Sequence, residues 1–436
     1  MVVFWFADCY TTFTCSRLKE VLVNEEEFSQ ALQKYADVTV KVGLNLRAGQ
    51  RLFVLAGIFD YQLVRSVAAS AYEAGARLVD VIWEDEETTH IHLKRAPEDA
   101  LEEIPDWPSN AALEYAEKGD ALLAISSKNP DIFSDIDPDR IARFRTAELK
   151  KWEKPNDYIM RDAINWSVVS SPTREWASKV FPDVSAEEAI MKLWEAIFQT
   201  CRVDQPDPVA AWKEHIRDLR KHSEYLNTKR YSALHYKAPG TDLTVGLPER
   251  HLWLAAQTKA ENGVEFTANM PTEEVFTMPH KDKVSGTVRA SLPFVVAGSI
   301  VEDFTVTFEN GRITNFTAGK GEETLRKLIE TDEGARGIGE VALVPHSSPI
   351  SRRGHLFYNT LFDENAASHI AIGRAYRFTM DGGGAMTEDE FQANGGNFSL
   401  THNDFMIGSG EMDVDGICAD GTREPVMRSG EWAFAV

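Results

Sequence analysis

The sequence predicts two unlike halves: an α/β N-terminal domain with a mostly parallel sheet, and an α+β C-terminal domain with an antiparallel sheet. Three observations carry this reading. Up to about Thr200, short apolar runs alternate with helical stretches, the pattern of βαβ units. From about Arg230 the texture changes to alternating runs such as FTVTFENGRITNFTA, where Asn310-Gly311 is a strong two-residue hairpin signal. A length of 436 residues also exceeds what one domain usually holds. The expected divisions are an unassigned extension over 1–23, an α/β domain with its connector over 24–229, and a C-terminal metal-binding domain over 230–436.

In the first half, Arg51 to Ile58 reads as a buried strand, Tyr61 to Ala74 as a helix closed by Gly75, and Ala76 to Trp83 as the next strand. Ala121 to Ser126 and Trp166 to Ser170 repeat the strand signal. Ser185 with Glu188 reads as a capping box heading the helix AEEAIMKLWEAIFQT. The loop after the first strand holds only Gly57, with no G-x-G-x-x-G, so no dinucleotide site is implied. In the second half, Asp415-Gly416 and Asp420-Gly421 read as further turns.

Charge excludes some partners. With 46 Lys+Arg against 68 Asp+Glu, the formal charge is −22, the wrong sign for tracking nucleic acid or an anionic membrane. Cys9, Cys15, Cys201 and Cys418 have neither zinc-clip spacing nor the density of a disulfide framework, which fits a reducing compartment. No apolar run approaches the ~20 residues needed to span a bilayer. The N-terminus lacks a basic stretch followed by an apolar core, so no signal peptide is expected and a cytoplasmic location is. Residues 1–23, aromatic and Thr-rich, read as a loosely held tail.

Candidate chemistry gathers in the second half. Divalent metals take carboxylate oxygens and imidazole nitrogens, and a two-metal hydrolase needs about six such groups in one cavity. Pro271-Thr272-Glu273-Glu274-Val275-Phe276 offers adjacent carboxylates, either of which can face inward. Glu340 follows the Gly-rich stretch Gly337-Ile338-Gly339, where a loop enters a strand. Asp363, Glu364 and His369 lie in LFYNTLFDENAASH, and His369 and Tyr376 are seven apart, a spacing that on a helix puts both on one face. His402 and Asp404 stand two apart in the strand-like run NFSLTHNDFMIG, pointing the same way. Each piece alone is weak, because lone carboxylates are usually solvated and a lone His is usually structural.

The segments NMPTEEVFT, VTFENGRI, GARGIGEVALVPHSSPIS, LFYNTLFDENAASHIAIGRAY and THNDFMIGS resemble the signature blocks of the aminopeptidase T and aminopeptidase S family of metallopeptidases. The resemblance runs clearly from about Asn269 to Ser409 and more diffusely back to about Asn24. It departs from the pattern at Pro345 to Ser348, where an acidic residue is expected before Ser348. The resemblance implies Glu274, Glu340, Glu364, His369, His402 and Asp404 as metal ligands and Tyr376 as a catalytic phenol, with Asp363 an alternative to Glu364. If Glu274 is a ligand, Glu273 is the candidate proton acceptor. It further implies two divalent ions (zinc, cobalt, manganese or magnesium), hydrolysis of the first bond of short peptides with a free N-terminus, and a homodimer.

Competing motifs are weaker. No H-E-x-x-H and no G-x-S-x-G occur, against single-zinc proteases and serine hydrolases of the α/β type. His90-Ile91-His92 reads as a solvated loop, Cys418 as a packed small hydrophobe, and Gly382-Gly383-Gly384 as a flexible loop. The rival readings are another two-metal amide hydrolase (an amidase or deacylase) and a non-catalytic scaffold stabilised by metal.

Overall fold

The computed structural model describes the backbone of residues 15–127, 129–296 and 299–436, and their side chains apart from 15–24 and 299. The expected tail therefore lies outside the described residues over 1–14. Helix α1 (Cys15–Val38) spans the expected division between 23 and 24 and continues as a single π turn through Gly43.

The first half alternates as its apolar runs require. β1 (Arg51–Gly57), α2 (Tyr61–Glu73), β2 (Leu78–Glu84), α3 (Glu86–Arg95), α4 (Trp107–Glu117), β3 (Ala121–Ser126), α5 (Pro138–Met160) and β4 (Trp166–Ser170) follow in order. The four strands form one parallel sheet in the order β2-β1-β3-β4. Leu52, Val54 and Ala56 face α1 and α2, and Phe53 packs with Tyr115 and Ile164 on the other side. Helix α2 ends at Ala74, and Gly75 takes a φ of +93°, the conformation glycine tolerates without a Cβ penalty.

Two local expectations need correction. His90 and His92 lie on α3, not in a loop, and separate: His90 meets Asp135 at 2.7 Å and His92 the Leu101 carbonyl at 3.3 Å. Two residues apart on a helix point away from each other, so they cannot share an ion. The Ser185 hydroxyl accepts from the Glu188 amide at 3.2 Å at the head of α7 (Ala186–Thr200), preceded by α6 (Arg174–Val180). The Glu188 carboxylate, however, turns to Lys192 at 3.2 Å, leaving half a box. Within the stretch expected to be a flexible loop, residues 383–385 form a turn of 3₁₀ helix.

Helix α8 (Pro208–Lys229) leads into the second half, which is antiparallel throughout. A nine-stranded sheet carries the expected hairpin, with Glu309 opposite Arg312 and both Asn310 and Gly311 at positive φ. Asp420-Gly421 makes the tight turn expected there. Asp415-Gly416 does not: it lies inside the strand Asp413–Ile417, where a Cβ on Gly416 would come 2.6 Å from the Tyr231 ring. Glycine is used there for close approach, not for a turn.

A separate five-stranded sheet runs His402–Met406, His369–Gly373, Ile338–Leu343, Val275–Thr277, Leu254–Ala255. It is stitched to the first half at one edge. Val168 of β4 accepts from the Met270 amide at 3.0 Å and donates to the Ala268 carbonyl at 2.7 Å, setting Asn269 beside the parallel sheet. One apolar core then runs through both halves, from Leu52 and Val54 to Val275, Ile338 and Phe405.

Candidate metal centre

Three neighbouring strands of the five-stranded sheet, two inner and one at the edge, supply most of the polar cluster. Glu340 sits within the strand Ile338–Leu343, just past an irregularity in its pairing, and not at a loop mouth. His369 begins the next strand, and His402 and Asp404 project together from the edge strand as their spacing requires. Glu274 reaches in from the loop before Val275–Thr277. The helix expected to join His369 to Tyr376 is absent. Residues 369–373 are a strand buried on both faces, and Tyr376 lies beyond it, at the head of a 3₁₀ turn. Tyr376 still arrives at the cluster, its ring 4.6 Å from that of His402 and stacked on Phe378 at 5.1 Å.

Two groups of ligand atoms result, and Glu340 belongs to both. His369 Nε2 lies 3.1 Å from Glu274 Oε2 and 3.5 Å from Glu340 Oε1. His402 Nε2 lies 3.9 Å from Glu340 Oε2 and 3.4 Å from Asp404 Oδ1. Within each trio the ligand atoms are within 4.8 Å of one another. The rings are set by their far nitrogens: His369 Nδ1 donates to the Ala367 carbonyl at 3.1 Å and His402 Nδ1 to the Arg374 carbonyl at 2.7 Å. Those bonds fix each ring with Nε2 facing the carboxylates, the usual orientation of a metal-ligating histidine.

The electrostatics call for a cation. Burial, with Asp404 and Glu274 nearby, pushes the Glu340 carboxyl up to about 7, and burial with the same neighbours holds Glu364 well above the carboxylate range. Burial opposes charging His402, yet Asp404 and Glu340 outweigh it and lift the ring to about 9. His369 is held high in the same way by Glu274 and Glu340. Glu274 Oε2 and Asp404 Oδ1 are buried and close to an imidazole, but neither has a hydrogen bond of good geometry. Four carboxylates and two imidazoles with such unsatisfied oxygens fit a divalent ion, which takes oxygen and nitrogen ligands and cancels their charge.

The remaining expectations divide. Glu364 lines the pocket beside the trios but belongs to neither; its Oε1 accepts from Asn269 Nδ2 at 3.5 Å and Asn365 Nδ2 at 3.4 Å. Asp363 faces away. It accepts from the amides of Phe357 at 2.7 Å and Asn359 at 3.0 Å, tying a loop, and burial raises it to about 7. Glu273 also faces away from the cluster: its carboxylate meets Arg202 at 2.8 Å and His215 at 3.5 Å. Adjacent residues of extended chain point oppositely, so bringing Glu274 in turns Glu273 out and removes it as a proton acceptor. Ser347, not an acidic residue, precedes Ser348, whose hydroxyl accepts from the Ser351 amide and donates to the Asn365 carbonyl, each at 3.1 Å. Asn269, Arg202 and His215 were not singled out in the sequence, where they stand far from the residues they serve.

Comparison with known proteins agrees with this geometry. The family model described as "Thermophilic metalloprotease (M29)" matches residues 28–432. The chain is 49% identical to aminopeptidase AmpS of Bacillus subtilis, over 94% of this chain and 100% of that one. It is 45% identical to aminopeptidase T of Thermus thermophilus, over 93% and 99%. A solved structure of wild-type AmpT from Thermus thermophilus superposes with a TM-score of 0.88, covering 93% of this chain and 100% of that one. From its fold, its cluster of carboxylates and imidazoles and these relatives, the chain belongs to the thermophilic metalloprotease family of the aminopeptidase T and S type, and is a metallo-aminopeptidase.

Proposed function

We propose that the protein hydrolyses the first peptide bond of short peptides at a centre of two divalent ions, one held by Glu274, Glu340 and His369 and the other by Glu340, His402 and Asp404. The observation that carries this is Glu340, whose two oxygens turn to different histidines. When bound, divalent ions supply Lewis acidity that acidifies water and polarises a carbonyl. The protein's own groups do the rest. Glu364 stands at the pocket wall outside both trios, where with ions bound its carboxylate would take the proton of the attacking water and pass it to the leaving amine. The Tyr376 phenol, held neutral by burial and the surrounding carboxylates, donates a hydrogen bond to the developing oxyanion. The carboxylates also favour the substrate's α-ammonium over a blocked terminus.

The test is release of leucine from a Leu dipeptide by metal-loaded protein, chelated protein, and metal-loaded protein given the N-acetylated dipeptide. Release is expected only in the first. Cleavage of the acetylated substrate would replace this reading with an amidase, and tight metal binding without any release would replace it with a scaffold.

A further inference from the structure

Two cavities meet at Asn269 and Glu364, which line both. The larger, about 960 Å³, opens against the carboxyl ends of the parallel strands at Glu84 and Ser126, and against the loop from Tyr358 to Leu361. Such crevices are where open α/β sheets usually receive ligands. The smaller, about 270 Å³, is lined by metal-centre side chains, among them Glu274, Glu340, His402 and Asp404. Its lining also includes an apolar set, Met160 and Trp166 from the first half and Leu254, Ala255, Phe276 and Phe378 from the second.

This wall is held in place. Trp166 Nε1 donates to Asp162 Oδ1 at 3.2 Å, and Thr258 Oγ1 donates to Asp162 Oδ2 at 2.9 Å. Both oxygens of Asp162 are thus engaged by the wall, so the carboxylate positions the indole and is not offered to a substrate cation. The Trp166 ring rests in turn against Phe266 at 6.0 Å.

An aminopeptidase houses one residue on the amine side of the scissile bond and the rest of the chain on the other. We infer that the smaller cavity is the subsite for the side chain of the residue removed, and that the remaining peptide lies in the larger cavity. The inference rests on the proposed function above and adds its selectivity: Leu, Met and Phe are favoured at the N-terminus, and Ala and Gly fill the wall poorly. Asp and Glu are disfavoured, since they bring a further carboxylate towards the four already there. A missing methylene in an apolar pocket is worth about 10- to 200-fold in selectivity.

The experiment measures kcat/KM for Leu-Gly, Phe-Gly, Ala-Gly and Glu-Gly with metal-loaded wild type, Ala255→Leu and Met160→Ala. Calorimetry measures binding of the products L-leucine and glycine to the same proteins. Wild type is expected to favour Leu-Gly over Ala-Gly at least tenfold and to bind leucine more tightly than glycine. Ala255→Leu is expected to cut both preferences about tenfold by filling the pocket, and Met160→Ala to raise Phe-Gly relative to Leu-Gly by enlarging it. If Ala255→Leu does not fold, Met160→Ala, on a partly exposed helix end, reads the same pocket. Release with no side-chain preference, or variants that scale all substrates equally, would overturn the subsite and leave the aminopeptidase reading standing. Release from no dipeptide would overturn both.

Discussion

At the residue scale, neighbouring carboxylates receive different work from their surroundings. Glu274 joins a trio of candidate metal ligands, Glu273 pairs with Arg202, Asp363 ties a loop and Glu364 faces the pocket. The proposed roles give distinct outcomes. Glu364→Gln keeps the shape but removes the proton acceptor, and kcat is expected to fall about 10²- to 10⁴-fold. Tyr376→Phe removes one oxyanion donor and is expected to cost about 10²- to 10³-fold in kcat. In both variants the metal content, read by elemental analysis of the folded protein, is expected to match wild type; loss of metal from Glu364→Gln would return that residue to the ligand set. The sequence showed which residue types were present but not which of two neighbours turns inward, because the deciding partners are distant. Arg202 lies 71 residues from Glu273.

Elements differ in how plainly their sequences announce them. His402 and Asp404 were legible as a pair because their strand has a polar side, and alternation marks it. His369–Gly373 is buried on every residue, so it lacks alternation and reads equally as a helix turn. Strands β3 and β4 were read to the residue because turn signals bound their apolar runs. The α7–α8 connector carries turn signals at Asp204, Pro206 and Asp207, but none that marks Arg202, whose guanidinium pins the loop that presents Glu274. Both partners of that ion pair are largely buried, and removing one leaves the other uncompensated. Glu273→Gln is expected to lower stability by about 3–5 kcal/mol in chemical denaturation. Its kcat, measured well below the unfolding midpoint, is expected to stay within about tenfold of wild type. A loss comparable with that of Glu364→Gln would restore Glu273 as the proton acceptor.

Over the whole molecule, both halves share one core, so a buried charge in the first half bears on global stability. Asp60 is 1% exposed at the carboxyl end of the parallel sheet, accepting from the Gly57 amide at 2.8 Å and Ser127 Oγ at 2.7 Å. Burial nevertheless raises its carboxyl to about 6 from an ordinary 3.8. Below the ordinary value both native and unfolded chains hold the proton. Between the two values the unfolded chain releases it first, so this group's contribution to stability is lost as pH rises, by about 3 kcal/mol in total. Asp60→Asn removes that slope. Its melting temperature relative to wild type is expected to rise from pH 4 to pH 6.5 and then level, whereas a constant difference would show that Asp60 does not titrate there.

The rung between Val168 and residues 268–270 has a mechanical consequence. Asn269 is held by this rung against the parallel sheet and also donates to Glu364. Asn269 and Glu364 both belong to the second half, so swinging the first half outward would break the two backbone bonds of the rung and leave the Asn269 and Asn365 amides on the carboxylate. The rung therefore ties the wall that carries Glu364 to the parallel sheet, and a molecule that gapes there loses the sheet's hold on that wall.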